Sequence, residues 1–368
     1  MRFLLLLVLL VLSLATPVRA VESEARQAPT FNGTVQAIAY LGSTVYVGGA
    51  FTSASWGGRT YPRDRLAAFD GRTGALLSWA PDADGPVWAL AVSPGAIYAA
   101  GGFHRVGGEK RDSIARLSPT SNAVSPFQPQ IEGTPYALAI SPDRLYVGGS
   151  FTAVNGRKAR NLVAFSLRTG KVDAGWRATA DDRVHTLAVA GNRVYLGGAF
   201  EKVDSRAGYQ RLAAVHATTG RLDHRFRPKA PAEVKALAVD ATGVYTAGGG
   251  QGGRAAAYAL DGTIRWQRVF DGDATAITLI GGTAYIGGHF DRVCSTARNG
   301  LQGACLDGSV PRVKLAAVTG DGRLAEWNPQ ANGVIGVRVL NTGPTGALDA
   351  GGDFTMIGRL ARPRFARF

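Results

Sequence analysis

Apolar residues fall along this chain in short runs that close on glycine. VYVGGAF opens at Val45, and IYAAGGF, LYVGGSF, VYLGGAF, VYTAGGG, AYIGGHF and LDAGGDF follow it. Runs of this length, rich in β-branched and aromatic residues and bounded by turn signals, read as β-strands. A second apolar run precedes each one across a short turn, as VWALAVS precedes IYAAGGF across PGA. A third follows, such as RLAAFD or KLAAVTG, and a fourth, such as TGALLSWAP, begins at a Thr-Gly or Asp-Gly turn. Four short antiparallel strands in roughly 50 residues make one blade of a β-propeller, whereas a β-solenoid coil needs about half that length.

Large aromatic residues mark the same places in successive units. A unit starts at an aromatic, reaches a small or β-branched residue eight positions on, a tyrosine eleven further and a phenylalanine five beyond that. Trp79, Val87, Tyr98 and Phe103 set the pattern. Phe127, Pro135, Tyr146 and Phe151 repeat it, as do Trp176, Val184, Tyr195 and Phe200, and Trp266, Ala274, Tyr285 and Phe290. The unit of Phe226, Val234 and Tyr245 ends on Gly250 and has a very short following loop, so a thin or distorted blade is expected there. The last unit is looser, with Trp327, Ile335, Asp349 and Phe354 and three extra residues between the second and third. The aromatics are expected to wedge between blades, and the glycine pairs to admit close neighbours.

The two ends of the chain complement each other. RPRFARF matches a third strand, so the last blade lacks a fourth. Pro29, Gly33 and Val35 fall where Pro81, Gly85 and Val87 fall in the next unit, with Gln27 in the slot of Trp79. A strand near Gln27–Thr30 is therefore expected to pair with the one ending at Phe368 and close the ring, leaving no free sheet edge. The expected fold is all-β: a single seven-bladed β-propeller of four-stranded antiparallel blades over residues 21–368.

The runs YVGGSFTAVNGRKARNLVAF, YVGGAFT and LDAGGDFTMIGRLARPRFARF resemble the delta-60-repeat β-propellers of secreted bacterial proteins, chiefly actinobacterial. The resemblance extends over essentially all of 21–368. Its most specific part is GGHFDRVC with GAC and RVKLAAV, followed by EWNPQANGV. It implies a secreted propeller, alone or joined to other extracellular modules, and carries no activity or catalytic residue set to this chain.

The first twenty residues, MRFLLLLVLLVLSLATPVRA, combine basic Arg2, an unbroken apolar run and a small-residue site before Val21. That is the form of a secretory signal peptide over 1–20. An uncleaved anchor is the alternative, disfavoured because the run is shorter than the roughly 20 residues that span a bilayer. The expected location is extracellular, at the cell wall or free. Export bears on the two cysteines: Cys294 and Cys305 are expected to form a disulfide. Without a histidine pair beside them they do not complete a metal site. The formal charge is +14, of which Arg2 and Arg19 belong to the leading segment, leaving +12 for the rest. Such an excess suits an acidic partner such as an anionic polysaccharide, teichoic acid or nucleic acid. Scattered as these residues are, they serve equally as a solubilising surface.

Catalytic patterns are missing from the sequence. His104, His185, His216, His224 and His289 stand at no metal-ligand spacing, and there is no nucleophile elbow, His-Glu-x-x-His or phosphate loop. Asp82 with Asp84, Asp181 with Asp182 and Asp271 with Asp273 recur in the connection between blades. They lack the oxygen ligands of a calcium loop and read as Asp-Gly turns. Neither a cofactor nor a metal is expected. The loops between second and third strands hold the best candidates for a ligand face: Arg105, Arg157, Arg206, His289, Asp291, Arg292 and Asp353. Arginine presents a planar fork suited to carboxylate or phosphate. The sixth loop is long and the fifth nearly absent, so a notch is expected between those blades. The function expected is that of a secreted, non-catalytic binding module, a monomer, for an extracellular protein or anionic polysaccharide, without specific nucleic-acid binding. The alternative is a secreted propeller enzyme, a polysaccharide hydrolase or lyase or a quinoprotein-like dehydrogenase, working near His289 and Asp353; that alternative rests on fold analogy.

Overall fold

In the computed structural model, which describes residues 21–368, the glycine-closed runs are the middle strands of antiparallel sheets. The expected signal peptide over 1–20 lies outside the described residues. In the first sheet Val35–Leu41 pairs with Thr44–Gly49, and Thr44–Gly49 with Leu66–Asp70. This three-strand order recurs seven times among the described residues. The later middle strands are Ala96–Gly101, Arg144–Val154, Arg193–Gly198, Gly243–Gly249, Thr283–Gly288 and Leu348–Gly352. First strands of successive sheets pack on one another in chain order, and that of the seventh, Val337–Thr342, packs on Val35–Leu41.

The core lies between sheets. Tyr46, Leu66 and Ala68 of the first sheet pack with Val87, Ile97 and Ala115 of the second. Val35, Val47 and Phe69 of the first pack with Phe365 of the last. The repeated aromatics do act as wedges. Tyr46 and Trp79 meet edge-on at 5.0 Å, Tyr195 and Phe226 at 5.3 Å, and Tyr285 and Trp327 at 5.0 Å. The first of these wedges also has polar ties: Trp79 Nε1 donates to the Ser118 carbonyl and Tyr46 Oη to the Pro119 carbonyl, both at 2.8 Å.

The seventh middle strand puts Asp349 where the others put tyrosine. Its carboxylate is fully buried and accepts from Arg367 Nε at 2.7 Å, from Arg367 Nη2, and from Tyr40 Oη of the first sheet at 2.8 Å. Arg367 also donates to the Gly71 carbonyl of the first sheet. Burial leaves the Asp349 carboxyl above its ordinary value, opposed by the bonds from Arg367 and Tyr40.

In most runs the two glycines answer different neighbours. A Cβ on Gly49, Gly149 or Gly198 would collide with the carbonyl oxygen of Thr34, Thr134 or Arg183, in or just before the paired first strand. The preceding glycine faces the next sheet: a Cβ on Gly48 would lie 2.7 Å from Val87 Cγ1, and one on Gly148 2.7 Å from Val184 Cγ1.

A second repeated device is invisible as a motif. The residue just before the third strand is left-handed without being glycine in six sheets: Arg65, Ser113, Asn161, Arg211, Lys314 and Arg364, with φ from 63° to 69°. Two backbone bonds hold each one. Arg65 N donates to Phe51 O at 2.9 Å, while Arg65 O accepts from Gly49 N at 3.0 Å, and Lys314 repeats this with Phe290 and Gly288. Such a conformation is costly for residues with a Cβ, so it persists only where the surroundings fix it.

Four expectations need correction. Fourth strands are mostly single bridges, such as Phe69 to Leu76, Leu117 to Val124 and Phe165 to Val172. The fifth sheet, expected to be thin, has the one regular fourth strand among the described residues, Ile264–Phe270 on Gly253–Tyr258. With Gly250 in the phenylalanine slot and no long loop after it, the third strand of that sheet starts at once and runs long enough to pair on both edges. In the last unit Val337, not Ile335, takes the valine slot, since Val337 pairs with Gly352. At the chain start Arg26 pairs with Arg367, N to O at 2.7 Å, whereas Thr30–Phe31 pairs with Ser53–Trp56.

Candidate functional site

The predicted ligand residues sit on loops of different sheets, and the structure gives several of them structural work. Asp353 takes the Gly336 N–H at 2.6 Å on Oδ1 and the Ile335 N–H at 3.1 Å on Oδ2, pinning the entry to the seventh sheet. Asp291 accepts from Lys314 Nζ at 2.7 Å, and the same ammonium donates to the His289 carbonyl at 2.8 Å. These two residues are thus brought together, while the His289 side chain stays exposed. Arg292 Nε donates to Ser309 Oγ at 2.5 Å, and Arg105 donates to the Gly108 carbonyl. Arg157 and Arg206 are exposed and form no ion pair among the described residues.

The recurrent acids are clamps. Asp84 Oδ1 accepts from His104 N at 2.8 Å and Arg105 N at 3.0 Å. Asp181 does the same for Glu201 and Lys202, and Asp271 for Asp291 and Arg292, at 2.9 Å each. Asn32 and Asn332 fill the same role in the first and last sheets. Burial alone would raise the Asp84 carboxyl, but the N–H groups of Arg105 and His104 hold it below its ordinary value.

The expected notch is filled. Cys294 and Cys305 are joined, with Sγ to Sγ at 1.99 Å, and the insertion they staple folds back over the fifth sheet. Val293 pairs with Phe270, and Gln251 Nε2 donates to the Gly300 carbonyl at 3.0 Å. The long loop occupies the space left by the short one.

An opening appears instead on the outer edge of the third sheet. Because its fourth segment touches the sheet only at Phe165 to Val172, a cleft of about 690 Å³ is left between that segment and the Ser125–Pro129 connection. Arg116, Arg157, Lys158, Arg168 and Lys171 line it, no acidic residue does, and Phe127, Pro129 and Val163 supply apolar wall. None of the five cations has an ion-pair partner among the described residues. Of these only Arg157 is among the residues predicted from sequence; the others sit on strands and hairpins whose convergence depends on the weak fourth strand.

A second group escaped sequence reasoning altogether. Every first strand carries a bulge at the same place, just after its valine-slot residue. The unpaired residues are Gln36, Trp88, Tyr136, His185, Lys235, Thr275 and Arg338, half-buried except for exposed Arg338. Neighbours touch from sheet to sheet. Trp88 and Tyr136 rings lie 5.6 Å apart, and Tyr136 and His185 6.0 Å. His185 Nε2 meets Glu233 Oε1 at 2.5 Å, and Lys235 Nζ meets Asp273 Oδ2 at 2.6 Å. The available signal was a slot whose identity changes in every unit between flanks that repeat.

The architecture is that of a β-propeller. The chain is similar to the WD40 β-propeller domain of Doa1, with a TM-score of 0.57 at 11% identity over 93% of this chain and 95% of that one. It is similar to BamB from Moraxella catarrhalis, with a TM-score of 0.52 at 16% identity over 93% and 98%. The computationally designed Ika8 protein gives 0.50 at 14% identity over 92% and 98%. No family model matches the chain, and no curated protein matches it. No helix among the described residues is long and apolar enough to cross a membrane.

Proposed function

We propose that this chain is an exported seven-bladed propeller that binds an anionic glycan through the cleft beside the third sheet. The observation that carries this reading is the set of five unpaired cations in a cleft without acids. A concave wall of one charge sign focuses its field and raises the local concentration of a counter-charged ligand. Arginine forks match carboxylate, sulfate or phosphate groups at two points, and the apolar wall suits the C–H faces of sugar rings.

The Arg26–Arg367 pairing, the Tyr40–Asp349 bond and the packing of Val337–Thr342 on Val35–Leu41 support a closed ring as the rigid scaffold for that cleft. The leading segment and the Cys294–Cys305 bond support export, which N-terminal sequencing of the secreted protein checks: the mature chain should begin at Val21. The binding test is retention on immobilised polygalacturonate and on purified anionic wall polymer. The parent should be retained and eluted by salt, and the folded R157S/R168S/K171S variant should elute at clearly lower salt. Equal elution of the two contradicts the assignment.

A further inference from the structure

Structural positions in this repeat are recognisable because they recur: tyrosine in the middle strand, glycine beside a neighbour's valine, Asp or Asn in the clamp. The bulged slot of the first strand behaves in the opposite way. Its backbone distortion is present in all seven sheets, while its side chain is different in each. A bulge gives up a ladder bond and re-aims a side chain. In a propeller the first strands surround the axial channel, so these seven side chains share one wall. Core packing does not account for the row as a whole, since its members are half-buried or exposed while the residue just before each is buried, even though the Trp88 ring lies against Gly102 and Thr275 Oγ1 donates to the Val337 carbonyl.

We propose that this bulged row is a second binding site, independent of the cationic cleft, and that it takes a neutral saccharide unit. One arc of the row is aromatic: Trp88, Tyr136 and His185 follow one another with ring centres 5.6 and 6.0 Å apart. The next arc is ionic and self-neutralised, with His185 on Glu233 and Lys235 on Asp273. A charged ligand would have to separate those pairs, so that arc does not select net charge. The part-exposed Glu233 carboxylate keeps a second oxygen beside the one that His185 engages, and that oxygen is open to ligand donors. A flat acceptor-only ligand such as a quinone supplies none, whereas each sugar hydroxyl is both donor and acceptor. Sugar C–H faces lie on aromatic rings, which places a pyranose on Trp88 and Tyr136 with its hydroxyls toward His185 and Glu233.

Trp88 is also a usable reporter, because Trp79, Trp176, Trp266 and Trp327 are buried and only Trp56 shares its partial exposure. The experiment titrates cellohexaose, maltohexaose and hexa-N-acetylchitohexaose into the full mature chain, following tryptophan emission where Trp88 is present and calorimetric heat for the Trp88 variants. At least one should shift emission saturably. Trp88→Ala should weaken that binding about tenfold, the scale of one aromatic stacking contact, while Trp88→Phe retains most of it. The R157S/R168S/K171S variant should bind the neutral probe like the parent, which separates this site from the cleft. If none of the three probes binds, or if folded Trp88→Ala binds as the parent does, the assignment is overturned.

Discussion

Val35, near the start of the chain, seats its side chain against Gly351, near the end: a Cβ on Gly351 would stand 2.5 Å from Val35 Cγ1. The same fit joins Val87 to Gly48 and Val234 to Gly197, so the junction of last with first sheet copies the internal ones. Where the valine slot holds Pro135 or Ala274, the glycine slot of the preceding sheet holds Ala100 or Ala247. The pairs therefore behave as size-matched partners.

Gly351→Ala should overpack this junction and destabilise by about 1–3 kcal/mol. Adding Val35→Ala should restore part of the loss, because small then meets small as at Ala247 and Ala274. Denaturant unfolding of the three variants checks this; a double variant no more stable than Gly351→Ala would contradict the size-matching account.

Asp349 and Arg367 replace the aromatic wedge at that junction. Asp349 has no solvent exposure, and Arg367→Ala would strip its main partner. Breaking a buried pair from one side costs about 3–5 kcal/mol, because the remaining charge stays buried. Thermal melting should show Arg367→Ala far less stable than Arg323→Ala, whose ion pair with Asp321 is exposed.

The clamps predict a pH effect. The folded-state Asp84 carboxyl lies below its ordinary value, so its contribution is fully present at neutral pH and fades as pH falls through and below about 4. Asp84→Ala should lower stability at neutral pH by about 1 kcal/mol, the usual cost of losing a comparable backbone cap. Asp84→Asn should be milder, since Asn32 and Asn332 serve the same role, and it should flatten the acid limb. Melting temperature against pH for the parent and both variants reads this out.

Removing the disulfide by Cys294→Ser with Cys305→Ser should destabilise by about 2.5–3 kcal/mol on loop-closure grounds. The effect should concentrate where the insertion covers the fifth sheet. Hydrogen exchange should rise first around Gln251–Arg254 and 295–308 and leave the first three sheets unchanged.

Much of the architecture was legible because packing repeats. Tyr46, Tyr98 and Tyr146 occupy one geometry and so share one spacing. What was not legible depended on register or on neighbours distant in the chain. Arg65 and Lys314 are left-handed through bonds to Phe51 and Phe290, which no residue-type preference announces. Most fourth strands carry apolar alternation yet form single bridges, the fifth sheet excepted. The notch reading treated two loops as separate when one covers the other. Asp353 and Asp291 stand in the loops that the repeat marks as a ligand face, yet backbone N–H groups and Lys314 already engage them. The cleft depends on an edge left open by a weak strand, so only Arg157 of its five cations was anticipated.

The central claim is that the cleft recognises negative charge on a glycan. Its most direct measurement is the dissociation constant of a defined polygalacturonate fragment, by calorimetry, from about 0.05 to about 0.5 M salt, for the parent and R157S/R168S/K171S. The account predicts saturable binding by the parent that weakens steeply as salt rises, and weaker, flatter binding by the folded variant. Parent binding insensitive to salt, or a variant that tracks the parent across the series, would contradict it.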